Sequence, residues 1–215
     1  MRHLMIGALC VLLGCTMAGA DEPSVPNAPP PIDASARAII GTPAPDFVLP
    51  STDTSLVRLS DFAGKTVVLE WFNPGCPFVK DVHNSNKMGE LAQKWTAQDV
   101  VWIAINSGAP GKQGTGLSTN QRAASRWDIS YPVLLDESGA VGQAYSAKTT
   151  PHMYVIAPDG TLAFAGAFSN APLGNTSGGA EAVNYIDQAL TAIAAGEPVQ
   201  TAAPKPWGCS VKYGS

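Results

Sequence analysis

The sequence predicts an α/β protein built on one sheet with helices on both faces. Three observations carry that expectation. Thr66 to Phe72 (TVVLEWF) and Asp99 to Asn106 (DVVWIAIN) are apolar at successive positions, as strands covered on both faces are. Segments of helical period separate and follow them. Pro158-Asp159-Gly160 lies between two more strand-like runs, Met153 to Ala157 and Leu162 to Phe168, a strong hairpin signal. With 45% hydrophobic and 14% charged residues the 215-residue chain has ample core, and a net charge of -4 gives no electrostatic ground for a nucleic-acid partner.

The elements follow in order. Phe47-Val48-Leu49 and Leu56-Val57-Arg58 flank a polar turn and predict an N-terminal hairpin. Ser60-Asp61 is placed to cap a single helical turn before Gly64. After the first central strand, Pro77 to Ala97 carries one long helical pattern through Val79, Val82 or His83, Met88, Leu91 and Trp95. The second strand leads into a glycine-rich loop, residues 107 to 116, which lacks a phosphate-binding pattern. Ser118 to Asp128 reads as a helix, Val133 to Leu135 as a short strand and Ser138 to Tyr145 as a short helix. Glu181 to Ala195 is an amphipathic last helix, stopped by Gly196 and then Pro198.

The first residues point to export. Arg2 and His3 precede an apolar run, Leu4 to Leu13, of signal-peptide length and too short to span a bilayer. Ala18-Gly19-Ala20 offers ordinary cleavage, while Leu12-Leu13-Gly14-Cys15 resembles a lipobox that would anchor the chain through a lipid on Cys15. Residues 1–20 are thus expected to be a leader, 21–40 a proline-rich linker, 41–196 the domain and 197–215 a tail, with the mature protein in the periplasm or cell envelope. Removal of Cys10 and Cys15 leaves Cys76 and Cys209, a number that allows one disulfide in an oxidising compartment.

Cys76 has the most informative surroundings. A buried strand ends, Asn73-Pro74-Gly75 turns the chain, and Cys76 stands at the start of a helix with Pro77 at its first position, where a missing N–H costs nothing. Free amide hydrogens and the helix dipole favour a thiolate there, and thiol pKa values at helix starts fall from about 8.5 to about 3.5–7.5. Lys80, one turn along, is expected to add positive charge. The thiolate is the nucleophilic form of cysteine, so this placement predicts a reactive sulfur rather than a small core residue.

Gly41-Thr-Pro-Ala-Pro-Asp-Phe47, Leu59-Ser-Asp-Phe-Ala-Gly-Lys65 and Asn73-Pro-Gly-Cys-Pro77 together resemble the redoxin branch of the thioredoxin superfamily, the alkyl hydroperoxide reductase and thiol-specific antioxidant group. The resemblance spans about residues 41 to 195. It implies a thioredoxin-like fold with a central mixed sheet, an oxidoreductase acting on thiols and disulfides, and no cofactor or resident metal. It also implies protein or small-molecule thiols and disulfides as partners, together with an electron donor. By the same resemblance Pro151, in Thr149-Thr150-Pro151, is the cis-proline facing the reactive cysteine. Glu70 is the buried carboxylate below it, with a raised pKa suited to shuttling a proton. By that resemblance Thr150 and Pro77 are the residues that would meet substrate.

The sequence departs from the family at informative positions. The second cysteine of C-x-x-C is replaced by Val79. The P-x-x-x-T-x-x-C of peroxidases is absent, with Leu69 and Asn73 at its two upstream positions, and Arg122 and Arg126 are not spaced to supply its arginine. Cys209 offers a remedy, because a proline-rich tail ending in Lys205-Pro206-Trp207-Gly208-Cys209-Ser210-Val211-Lys212-Tyr213 has reason to carry aromatics only if it docks. The expectation is that it folds back and sets Cys209 beside Cys76 as a resolving thiol. A permanent staple between the two is the other outcome, worth about 4–5 kcal/mol for so long a loop on the chain-entropy model. Two alternatives stand beside thiol–disulfide exchange. One is a peroxiredoxin-like peroxidase; the other is a binding module or copper carrier in which His83 and His152 join the cysteines.

Overall fold

The computed structural model describes residues 32–33 and 35–214. The expected leader, both of its processing sites and most of the expected linker lie outside the described residues. The predicted hairpin forms from β1 (Val48–Pro50) and β2 (Leu56–Arg58), antiparallel with Val48 opposite Arg58. A 3-10 turn over Leu59–Phe62 follows, but Ser60 and Asp61 do not cap it. Its N-cap is Arg58, and the Ser60 amide and hydroxyl both bond the Asp46 carboxylate at 2.9 Å.

The main sheet is mixed, in the order β5-β4-β3-β7-β8. Its centre is β3 (Val67–Trp71), parallel to β4 (Val101–Asn106), which is parallel to β5 (Val133–Leu135). On the other side β3 pairs antiparallel with β7 (His152–Ile156), and β7 with β8 (Leu162–Gly166), the hairpin closed by Pro158-Asp159-Gly160. Alternation along β3 sorts the two cores. Val67, Leu69 and Trp71 pack with Phe47, Leu49, Tyr145 and Tyr154, while Val68 packs on the opposite face with Trp102, Met153 and Phe164.

The helices cover both faces. The long helical pattern after Cys76 is two helices, α1 (Pro77–Asn84) and α2 (Lys87–Thr96), separated at Asn86, whose φ of 59° is left-handed. Asparagine tolerates that conformation better than most residues, and the break turns Met88, Leu91 and Trp95 onto the same core as Val82. α3 (Leu117–Arg126) covers the same face through Ala123. α4 (Ala140–Ala144) packs Val141 and Ala144 on the other face, beneath the hairpin. α5 (Tyr185–Ala194) starts later than the sequence pattern suggests, because Asn184 accepts from the Ile186 and Asp187 amides and fixes its first turn.

Both ends of the described chain are docked. The segment expected to be linker up to residue 40 joins the domain as early as Ile32, which is buried in the core and bridges Phe47. Ala36 and Ala38 pack beside it, and the Ala38 amide donates to the Ala144 carbonyl at 2.9 Å. The domain therefore begins at least nine residues before Gly41, because one isoleucine in a proline-rich run finds an apolar slot. After α5 the tail runs along the free edge of β8, where the Ala165 and Ala167 amides donate to the Ala202 and Pro204 carbonyls at 2.9 and 3.0 Å. Gly166 is required there: a Cβ on it would lie 2.4 Å from the Pro204 oxygen.

Truncating Ile32 tests whether this segment is part of the fold. Ile32→Ala should destabilise the protein by about 2–3 kcal/mol in urea titration, the cost of a buried large-to-small change, whereas a free linker would give no measurable loss.

Candidate active site

Cys76 is the N-cap of α1, with Pro77 at the first helical position. The turn before it is held from two sides. Asn73 Oδ1 accepts the Gly75 amide at 2.7 Å, an Asx-type turn, and Asn73 Nδ2 donates to the Gln113 carbonyl at 3.0 Å. The glycine-rich loop of residues 107–116 thus clamps the cysteine's turn, and a Cβ on Gly75 or Gly114 would strike Gln113 or Asn73. The Asx turn could have been read from Asn-Pro-Gly; the clamp by a loop forty residues away could not.

The tail covers this site. A short ladder, β6 (Thr149–Thr150) with β9 (Cys209–Ser210), is antiparallel and sets Cys209 opposite Thr150. The Thr150–Pro151 peptide is cis, as the resemblance implied for Pro151. The Cys76 thiol donates to the Thr150 carbonyl at 3.0 Å, and Cys209 packs against the buried cluster that holds Cys76. Both are free thiols; Cys76 is fully buried and Cys209 half-buried.

Their acidities diverge. Burial pushes the Cys76 thiol up, but donors reverse this: the Cys209 S–H, the Val79 amide, and then the Thr150 side chain hold it below the ordinary thiol value. The Thr150 hydroxyl is buried without another partner, so it is available to an ionised sulfur. Burial pushes Cys209 up to about 11, reinforced by its hydrogen bond to Cys76 and that sulfur's charge, while Lys212 pulls the other way. Cys76 is thus the sulfur of the pair that ionises more readily, and Cys209 the one that keeps its proton. Lys80, expected to help, is exposed, and the foremost influences on the shift are burial and the local donors. Val79 offers its amide to the sulfur and its side chain to the core around Phe72 and Ala123.

Glu70 is fully buried, but its two oxygens are taken elsewhere. Oε1 lies 2.9 Å from His83 Nε2, and Tyr131 donates its hydroxyl to Oε2 at 3.1 Å. Burial, then the Glu70 charge, holds Tyr131 protonated well above its usual range. His83 is also stacked on Trp127 at 4.8 Å, with Phe72 edge-on to both. Sequence spacing gave no sign of this buried pair. His152 lies on the opposite face, opposite Trp71 in register, with Nδ1 3.3 Å from the Lys148 amide and 3.0 Å from the Tyr154 hydroxyl. Two histidines on opposite faces of one sheet cannot close on a single ion with Cys76, which removes the basis for a copper site. Thr150 is buried beside the sulfur, and Pro77 is exposed at the mouth. Arg122 and Arg126 are exposed on α3.

A model of the AhpC/TSA family matches residues 40–165, more than half of the chain. The chain belongs to the AhpC/TSA family. It is 29% identical over 124 residues to the thiol-disulfide oxidoreductase ResA of Geobacillus thermodenitrificans, a match covering 57% of this chain and 66% of that relative, just short of two thirds. An uncharacterised conserved protein from Geobacillus kaustophilus superposes with a TM-score of 0.73 at 28% identity, covering 82% of this chain and 93% of the other. A putative thiol:disulfide interchange protein DsbE from Chlorobium tepidum shares the fold, with a TM-score of 0.50 and 24% identity over 60% of this chain and 84% of that one. The fold of this AhpC/TSA protein is thioredoxin-like.

Two pH dependences follow. The thiolate absorbance of Cys76 should titrate below an ordinary thiol, and Cys209→Ala, which removes the foremost stabilising donor, should move its midpoint upward while Cys209→Ser moves it less. Burial, and then the Lys148 charge, depress His152 from 6.5 to about 4. The unfolded chain therefore takes up that proton first, and stability should fall by about 3 kcal/mol as pH drops from about 6.5 to about 4. Denaturant titrations across that window should show the loss, and His152→Gln should flatten it.

Proposed function

We propose that this protein is a thiol–disulfide oxidoreductase in which Cys76 attacks and Cys209 resolves. The observation that carries the reading is the contact between two thiols of opposite tendency, one poised to ionise and the other to donate. The Cys76 thiolate attacks one sulfur of a substrate disulfide; that S–S bond breaks, and the departing thiolate takes up a proton. The mixed disulfide leaves Cys76 uncharged. Two of the three influences that raise Cys209 then vanish, while the pull of Lys212 remains. Cys209 becomes more acidic only when it is needed. Its thiolate attacks the Cys76 sulfur, the second substrate thiolate leaves, and a Cys76–Cys209 disulfide forms. Two electrons have passed to the substrate, and an external dithiol returns them.

The similarity to ResA supports the same chemistry. A peroxidase reading draws no support from the site, where Leu69 is buried in the core, Asn73 is spent on the turn and the candidate arginines are exposed. The apolar leader pattern supports a periplasmic or cell-envelope location; a lipid anchor through Cys15 belongs to the same proposal. Among the described residues no helix is long and apolar enough to cross a membrane.

Reduction of a protein disulfide by the pre-reduced protein, with no other thiol present, tests the scheme. Cys76→Ser should leave the substrate oxidised, and Cys209→Ser should stop after one step, leaving a Cys76 mixed disulfide visible by mass spectrometry. Complete substrate reduction by Cys209→Ser would remove the resolving role. A Cys76–Cys209 reduction potential below about −300 mV would make the pair a staple.

A further inference from the structure

The tail that buries Cys76 also shows what the site accepts. β6 pairs only with β9 among the described strands, so the backbone groups of Thr149 and Thr150 are free to bind another strand whenever the tail leaves. Cys76 has no exposed surface while the tail is in place. A substrate sulfur must therefore come from the side the tail occupies and on the edge it vacates.

Three contacts define what fits. Cys209 stands opposite Thr150, whose carbonyl holds the Cys76 thiol. Gly208, with φ +127°, lies so close to the Thr150–Pro151 peptide that a Cβ would be 2.2 Å from the Thr150 oxygen and 2.8 Å from its carbon. Trp207 rests on Phe78 at 5.8 Å between ring centres and donates its indole N–H to the Ser169 carbonyl at 2.6 Å. Ser210, after the cysteine, pairs with Thr149 through its backbone and leaves its side chain exposed.

We infer that the substrate of Cys76 is an extended peptide disulfide that replaces the tail on β6, with its cysteine opposite Thr150, glycine immediately before it and a flat aromatic residue before that. This rests on the exchange reading above and adds its selectivity. Added strands gain affinity from main-chain hydrogen bonds and selectivity from side-chain pockets; here the pockets are a wall that excludes Cβ and a platform formed by Phe78. In the mixed disulfide the peptide sulfur takes the place of the Cys209 sulfur. Tail and substrate compete for one edge, and the return of the tail brings the resolving thiol.

The probe is the peptide Trp-Gly-Cys-Ser-Val-Lys carrying a thiopyridyl disulfide on its cysteine. Attack by Cys76 joins it to the peptide sulfur and releases pyridine-2-thione, which is read by absorbance. With full-length Cys209→Ser, replacing the peptide glycine by valine should slow release by about tenfold or more, the scale at which a tight pocket rejects one extra group. Replacing its tryptophan by alanine should slow release severalfold. The same ranking is expected in the first turnover of the unaltered chain, which guards against a folding defect in the variant. Gly208→Val in the Cys209→Ser background should loosen the tail and accelerate attack on a small probe, the thiopyridyl disulfide of N-acetylcysteine. Equal rates for all three peptides, with the thiopyridyl disulfide of N-acetylcysteine still releasing pyridine-2-thione, would overturn this inference alone. No release from any probe by the unaltered chain would overturn the exchange reading itself.

Discussion

A buried sulfur holds charge only when fixed donors replace the water it has lost, and the site is organised around that constraint. Burial alone would leave Cys76 an inert core thiol. The helix start supplies the Val79 amide, the ladder between β6 and β9 supplies Cys209, and Thr150 supplies a hydroxyl with no other duty. Each donor reaches the sulfur from a different stretch of chain. The turn of Asn73 to Gly75, clamped by the loop at Gln113, keeps the sulfur where all can meet it.

The missing second cysteine of the motif changes the architecture more than the chemistry. In a C-x-x-C site both sulfurs ride on one helix turn. Here Val79 fills the helical position, and the second sulfur arrives on a strand from the far end of the chain. A second thiol on a separate segment responds to the state of the first, since charge on Cys76 raises its pKa.

What was legible in the sequence was what short-range physics dictates. The doubly apolar runs of β3 and β4, the turn at Pro158-Asp159-Gly160 and the proline after Cys76 each express a local preference, and the elements lie where those preferences put them. The tail's aromatics around Cys209 likewise signalled docking, and it docks. The break at Asn86 was hidden because apolar spacing continues across it and only one residue's backbone reverses. The burial of Ile32 and the claim of His83 and Tyr131 on Glu70 were hidden for another reason. They depend on partners brought together by the sheet, and no spacing within one segment encodes them. For the same reason, the sequence pointed to charge on Lys80, whereas the foremost donors to the sulfur are Cys209, the Val79 amide and Thr150.

The docking of Pro204 on the edge of β8 sets how far the end of the chain can stray. Cys209 lies five residues beyond that anchor, so even fully extended it stays within about 17 Å of it. A thiol on so short a leash experiences its target at millimolar concentration or higher, however dilute the protein is. In the proposed exchange, free small thiols would have to match that concentration to intercept a mixed disulfide at Cys76. The tail's first half, by sealing a sheet edge, thereby determines how well its second half outcompetes the solution.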